Sequence, residues 1–281
     1  MPTMEKQPSA KSLFKPYIAI PQDHGSWVFL LSPLLIGIFA GGKLSAATPF
    51  LVIGSLATFM LRQPVTVAIK AVSGRRSRAD LKSALFWSGL YALIGLVCLA
   101  ALTWQGYAYV LLLALPAIPV FAWHLWLVSR RSERRQAGVE ILGSGVLALA
   151  APAANWVAAG SADPTGWWLW MLTWLQSAAS IVYAYLRLGQ RELEAVPPVN
   201  IRLRMARRAL LYTSFNFFGV LLLSIVQLLP PLLWLPYLLQ FVETIYGTFK
   251  PAMKAKPTAI GIRQLIVSSL FTVLFILTWA V

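Results

Sequence analysis

The sequence predicts an all-α protein: a polytopic membrane helix bundle of about nine transmembrane helices, N-terminus inside and C-terminus outside. Three observations predict it. Hydrophobic residues make up 58% of the chain and charged residues only 12%, against about 25% charged in a typical soluble protein. After Trp27 the chain is a succession of apolar runs, each near the roughly 20 residues that cross a bilayer core. The basic residues fall in every second connection between those runs. Lipid offers the backbone no hydrogen-bond partner, so each run must close its own bonds as a helix. Runs such as Ala92 to Ala101 lack the alternating polarity of a barrel strand.

In order, the spans are expected at about 24–42, 47–69, 84–104, 107–128, 137–159, 167–187, 209–229, 231–249 and 264–281. A basic cytoplasmic arm, 1–20, precedes a single transmembrane domain, 21–281. The connections after the first, third, fifth and seventh spans are short, holding Gly41, Gly42, Lys43, Gln105, Gly106, Asp163, Pro230 and Pro231. Those after the second, fourth, sixth and eighth are basic. They carry Lys70, Arg75, Arg76, Arg78 and Lys82, then Arg130, Arg131, Arg134 and Arg135. Arg187, Arg191, Arg202, Arg204, Arg207 and Arg208 follow, then Lys250, Lys254, Lys256 and Arg263. The arm adds Lys6, Lys11 and Lys15. Basic loops stay in the cytoplasm, so the arm and all four basic connections face inward, in a bacterial cytoplasmic membrane. Trp104, Trp156, Trp167 and Trp168 then gather at the outer interface, as an aromatic belt does. The lysines of the arm, the run Trp27–Ala40 and the small residues Ser45–Ala47 also look like a signal peptide. Asp23, His24 and Ser26 lengthen that run with residues a helix accepts, so a retained first span is expected.

A net charge of +15 could suggest nucleic acid, but its confinement to loops reads instead as a topology signal beside anionic lipid. No nucleic-acid partner is expected. Cys98, the single cysteine, sits in an apolar run and reads as packing.

Ionisable groups inside spans cost about 2.5–3.5 kcal/mol each on insertion scales and are functional candidates for that reason. The candidates for ligand binding are Asp23, His24, Arg62, His124, Glu140, Arg187, Asn216 and Glu243, accompanied by Gln63, Gln176 and Gln240. By helix rise the ionisable groups and Asn216 fall in the cytoplasmic half of the membrane, while the outer half holds Asn155 and little else. The asymmetry points to a polar cavity open to the cytoplasm with an apolar chamber behind it. Each residue also admits a structural reading. Asp23, His24 and His124 suit the headgroup interface, Arg62 can snorkel, Arg187 suits a helix C-terminus, and Glu140 and Glu243 can neutralise Arg62 and Arg187. Pro64, Pro116, Pro119 and Pro152 should bend their helices. Gly143, Ser144, Gly145, Ala148, Ala150 and Ala151 make the fifth span a close-packing face.

The segment Pro21-Gln22-Asp23-His24-Gly25-Ser26-Trp27, entering a first span with Ser32–Pro33, resembles the N-terminal signature of the YwiC-like family of bacterial membrane proteins. Asp23 interrupts the family's glutamine–histidine–glycine run. Arg62 and Pro64 before a basic loop, and Glu140–Leu142–Gly143 leading to Ala150–Ala151–Pro152, are similar to the family as well. The resemblance implies a membrane location and no particular reaction. The architecture also resembles UbiA-type prenyltransferases, which hold magnesium and a prenyl diphosphate on two aspartate-rich motifs. This chain has only Asp23, Asp80 and Asp163, far apart, and Glu192 with Glu194 in a basic loop. Magnesium-dependent transfer is therefore not expected, because that ion needs carboxylates or phosphates to replace its waters. Arg62 and Arg187 at the comparable positions would suit a direct grip on an anionic group.

Two histidines and one cysteine are too few for an ordinary zinc or haem site, and no glycine-rich phosphate loop or nucleophile elbow occurs. No metal or cofactor is expected. The leading functional expectation is an amphipathic lipid ligand, of isoprenoid or quinone type, with its tail in the apolar chamber, its anionic head against Arg62, Arg187 and His24, and Glu140, Glu243 or His124 as proton donor or acceptor. Alternatives are a proton- or cation-coupled small-molecule transporter and a non-catalytic membrane assembly factor.

Overall fold

The computed structural model describes residues 13–21, 24–130 and 136–281, with His24 described by its backbone alone. Lys6, Lys11, Asp23, Arg131, Arg134 and Arg135 lie outside the described residues, as does the side chain of His24. The described chain is helical throughout: α1 Pro16–Ala19, α2 His24–Ala40, α3 Thr48–Val72, α4 Leu81–Trp104, α5 Ala114–Ser129, α6 Ala137–Ala148, α7 Ala150–Ala159, α8 Pro164–Gln190, α9 Val199–Ile225, α10 Trp234–Phe249 and α11 Pro257–Trp279. Short 3₁₀ turns precede α4 and α5. Every expected span coincides with a helix or a helix pair. Six of these segments are long and apolar enough to cross a membrane: Thr48–Val72, Arg78–Trp104, Ala108–Ser129, Ala137–Ala159, Val199–Ile225 and Pro257–Trp279.

Local chemistry sets the ends. Asp163 caps α8, its carboxylate accepting from Gly166 N at 3.1 Å, and Pro164 follows at the first helical position, where its missing N–H costs nothing. Gly160 ends α7 at φ +80°, a conformation a side chain resists. Pro152 cannot donate to the carbonyl of Ala148, and the α6–α7 break falls there, at Leu149. Two starts differ from the sequence expectation. α9 begins at Val199 rather than at 209, so Arg202, Arg204, Arg207 and Arg208 are helical rather than loop residues. α11 begins at Pro257 rather than at 264, which moves Arg263 from a loop into the helix.

The chain divides into two compact units. The first holds residues 1–23, 46–108 and 121–134. In it α3 and α4 pack along their lengths, with Gly54 admitting Cys98. Segment 13–20 docks on them. Ile18 is fully buried against Val67 and Ala84. Ser83 Oγ and Trp87 Nε1 donate to Leu13 O, Gln63 Nε2 to Tyr17 O, and Tyr91 OH to Ala19 O. The uncovered flank of α4 presents Leu85, Phe86, Leu93, Leu96 and Val97, an apolar surface suited to lipid.

The second unit holds residues 24–45, 109–120 and 135–281. Here α2 lies against α7. A Cβ on Gly37 would stand 2.2 Å from Ala151 O, and one on Gly41 2.3 Å from the Ala158 Cβ. Gly37 on α2 and Gly41 just past its end thus fit the alanines of α7, the close approach small residues permit. The core joins Ile36, Leu169, Leu172, Leu233, Tyr237, Phe271 and Phe275.

Candidate functional site

Polar side chains at steps of three or four share a helix face. On α8 that face carries Thr173, Gln176, Ser180, Tyr183, Arg187 and Gln190, all buried. It meets Gln240, Glu243 and Gly247 of α10 and Ser268 of α11. A polar seam results inside the second unit.

At one end of the seam sits an ion pair. Arg263 Nε donates to Glu243 Oε1 at 2.6 Å and Nη2 to Oε2 at 2.8 Å, the two-pronged geometry that suits guanidinium and carboxylate. Tyr183 OH donates to Glu243 Oε1 at 2.9 Å. The Glu243 side chain is 9% exposed and that of Arg263 45%, so the carboxylate is inside and the guanidinium at the rim. Arg263 also lies over the Tyr246 ring, 4.5 Å from its centre. Gly247 makes room for this: a Cβ there would stand 2.2 Å from Tyr183 Oη.

Arg187 does different work. Its Nη1 donates to Gly247 O at 2.9 Å, Lys250 O at 2.6 Å and Gln190 Oε1 at 2.9 Å. Gln190 Nε2 donates to Gly247 O, and Gln190 Oε1 accepts from Ala252 N. The last carbonyls of α10 lack intrahelical donors, and Arg187 with Gln190 supplies them, a cation at the negative end of the helix.

Midway along the seam, Gln240 Nε2 donates to Gln176 O at 3.0 Å and to Ser180 Oγ at 2.9 Å. Gln176 Nε2 donates to Ser180 Oγ at 3.1 Å. From α9, Asn216 Nδ2 donates to Leu175 O at 2.8 Å.

The remaining sequence candidates stand apart from this seam. Glu140, in the first turn of α6 where a negative charge suits the helix dipole, is exposed and accepts from Tyr185 OH at 2.7 Å. Arg62 and His124 belong to the first unit and are half-buried. Arg62 lies over the Phe59 ring at 5.6 Å. The second unit therefore brings Arg187, Asn216 and Glu243 onto one helix, α8. Sequence reasoning missed Arg263, Tyr183 and Gln190. Arg263 was legible: Pro257 is a helix-start signal, and an earlier start puts Arg263 inside α11. Tyr183 and Gln190 carry no such signal.

One further cluster belongs to the first unit. Asp80, buried, accepts from Lys15 Nζ at 2.7 Å, Tyr17 OH at 3.0 Å and Arg76 Nε at 2.8 Å. The hydrogen bond to Asp80 raises the Lys15 pKa above its usual 10.5, against a smaller opposing effect of desolvation.

Residues 20–155 match the family described as YwiC-like protein. The chain is 26% identical over 180 residues to the Bacillus subtilis (strain 168) protein named Uncharacterized protein YwiC, covering 63% of this chain and 70% of that one. No solved structure matches the chain. The signature entering α2 falls within residues 20–155, the stretch over which this chain is similar to the YwiC-like family.

Proposed function

We propose that the chain binds an amphipathic lipid of isoprenoid or quinone-precursor type, its anionic head at Arg263 and its tail along the apolar length of α10 and α11. One observation carries this reading. A half-exposed guanidinium is anchored by a buried carboxylate at one end of two helices whose exposed faces are apolar, with Val242 on α10 and Ile262, Ile266 and Leu270 on α11. Glu243 engages Nε and Nη2, so the two N–H bonds of Nη1 remain for an anionic oxygen. Glu243 and Tyr183 hold the guanidinium in place, and the lipid tail meets the exposed apolar flank of α11, Ile262, Ile266, Leu270 and Val273.

In this reading the chain crosses the bacterial cytoplasmic membrane nine times, with its N-terminus inside and its C-terminus outside. The shorter α2 and α10 and the polar-faced α8 complete the six long apolar segments. Alternate basic connections support it, and they put the Arg263 end on the cytoplasmic side.

The test is mass spectrometry of whatever co-purifies in mild detergent. A stoichiometric lipid is expected with the wild type, reduced in Arg263→Lys and lost in Arg263→Ala. Equal lipid in all three proteins overturns the reading.

A further inference from the structure

We infer a monovalent-cation site between α8, α9 and α10, built on the side-chain oxygens of Asn216 and Gln240. Both residues are buried, at 2% and 5% exposure. Each side-chain nitrogen is committed to an α8 carbonyl, Asn216 Nδ2 to Leu175 O and Gln240 Nε2 to Gln176 O. Those acceptors fix the amide orientations, because a flip would set oxygen against oxygen. Asn216 Oδ1 and Gln240 Oε1 are left buried with no donor. Leu175 and Gln176 are consecutive, and α9 packs against α10, so both amides are held by a single turn of α8.

Buried acceptors without donors are costly inside a membrane, where water does not compensate them. A cation satisfies several oxygens at once. These oxygens are hard, neutral donors, and the nearby carboxylate of Glu243 is already held by Arg263 and Tyr183. Such a set suits a sodium- or potassium-class ion and not magnesium or calcium, which need carboxylates. The site does not rest on the lipid reading, since Arg263 takes no part in it.

An ion that binds only the folded protein raises its melting midpoint by mass action. The detergent-purified full chain would be melted in sodium, potassium, lithium and N-methylglucamine chlorides at equal ionic strength. One alkali cation is expected to raise the midpoint saturably, and Asn216→Leu and Gln240→Leu to abolish that dependence. Should the leucine variants fail to fold, Gln240→Glu and Asn216→Asp serve. The added charge should lower the half-saturating concentration by about tenfold or more. Lipid content, measured alongside, should not change. Equal midpoints in all four salts mean a water-filled site and overturn the proposal. So does a cation effect that survives both leucine variants, or a half-saturation that neither acidic variant moves.

Discussion

At the scale of residues, the Glu243–Arg263 pair is asymmetric, and the asymmetry predicts its energetics. Its carboxylate is buried and its guanidinium is 45% exposed. Breaking a fully buried pair costs about 3–5 kcal/mol. Because Arg263 is half in solvent, Arg263→Ala should cost less, about 1–3 kcal/mol. Glu243→Gln, which keeps an acceptor for Tyr183 and Arg263, should cost less again. The double variant Arg263→Met with Glu243→Leu should be more stable than the losses of the single variants Arg263→Met and Glu243→Leu sum to, because no charge is left unpaired. Thermal midpoints in one detergent check this, and additive losses would mean that the two side chains act separately. Asp80 supplies a prediction in pH. A base whose folded pKa is raised contributes its full stability below the unfolded value and loses it as pH climbs through the folded one. Docking of segment 13–20 should therefore hold to about pH 10 and weaken above the usual lysine value of 10.5, an alkaline component that Lys15→Met removes. Hydrogen exchange at Ile18 and Ala19 reads it; an identical alkaline profile in Lys15→Met would count against the assignment.

At the scale of elements, close helix approaches depend on particular glycines. Gly247→Ala must displace Tyr183 from Glu243, and Gly37→Ala must push α2 off α7. Each should cost about 1–3 kcal/mol as overpacking. Gly143, on a helix with open space around it, is the control: Gly143→Ala should be neutral or slightly stabilising. Wild-type stability in Gly37→Ala would mean α2 and α7 pack more loosely than described. The helices themselves were legible in the sequence, because each long apolar run has one solution in lipid. Their starts were less so. The arginines at the head of α9 read as a loop by charge, yet arginine, leucine, methionine and alanine are good helix formers and Pro198 opens the helix there. The site was legible only in part. Glu243, Arg187 and Asn216 stood out as polar groups within apolar runs, whereas their partners did not. Arg263 is missed when α11 is read as starting at 264, although Pro257 marks its start. The use of Arg187 as a cap on α10 depends on which helices are neighbours, and no local pattern carries that.

At the scale of the whole molecule, the six long apolar segments mark a helical membrane protein. The functional proposal adds a direction, with the Arg263 end inward. That direction can be read with an impermeant thiol reagent on intact cells, in a Cys98→Ser background carrying one new cysteine at a time. Exposed positions in three connections suffice: Ser73, Ser161 and Glu194. Ser161→Cys should label from outside, while Ser73→Cys and Glu194→Cys should label only after the membrane is opened. Labelling of Ser73→Cys or Glu194→Cys in intact cells, with Ser161→Cys protected, would contradict an inward-facing site.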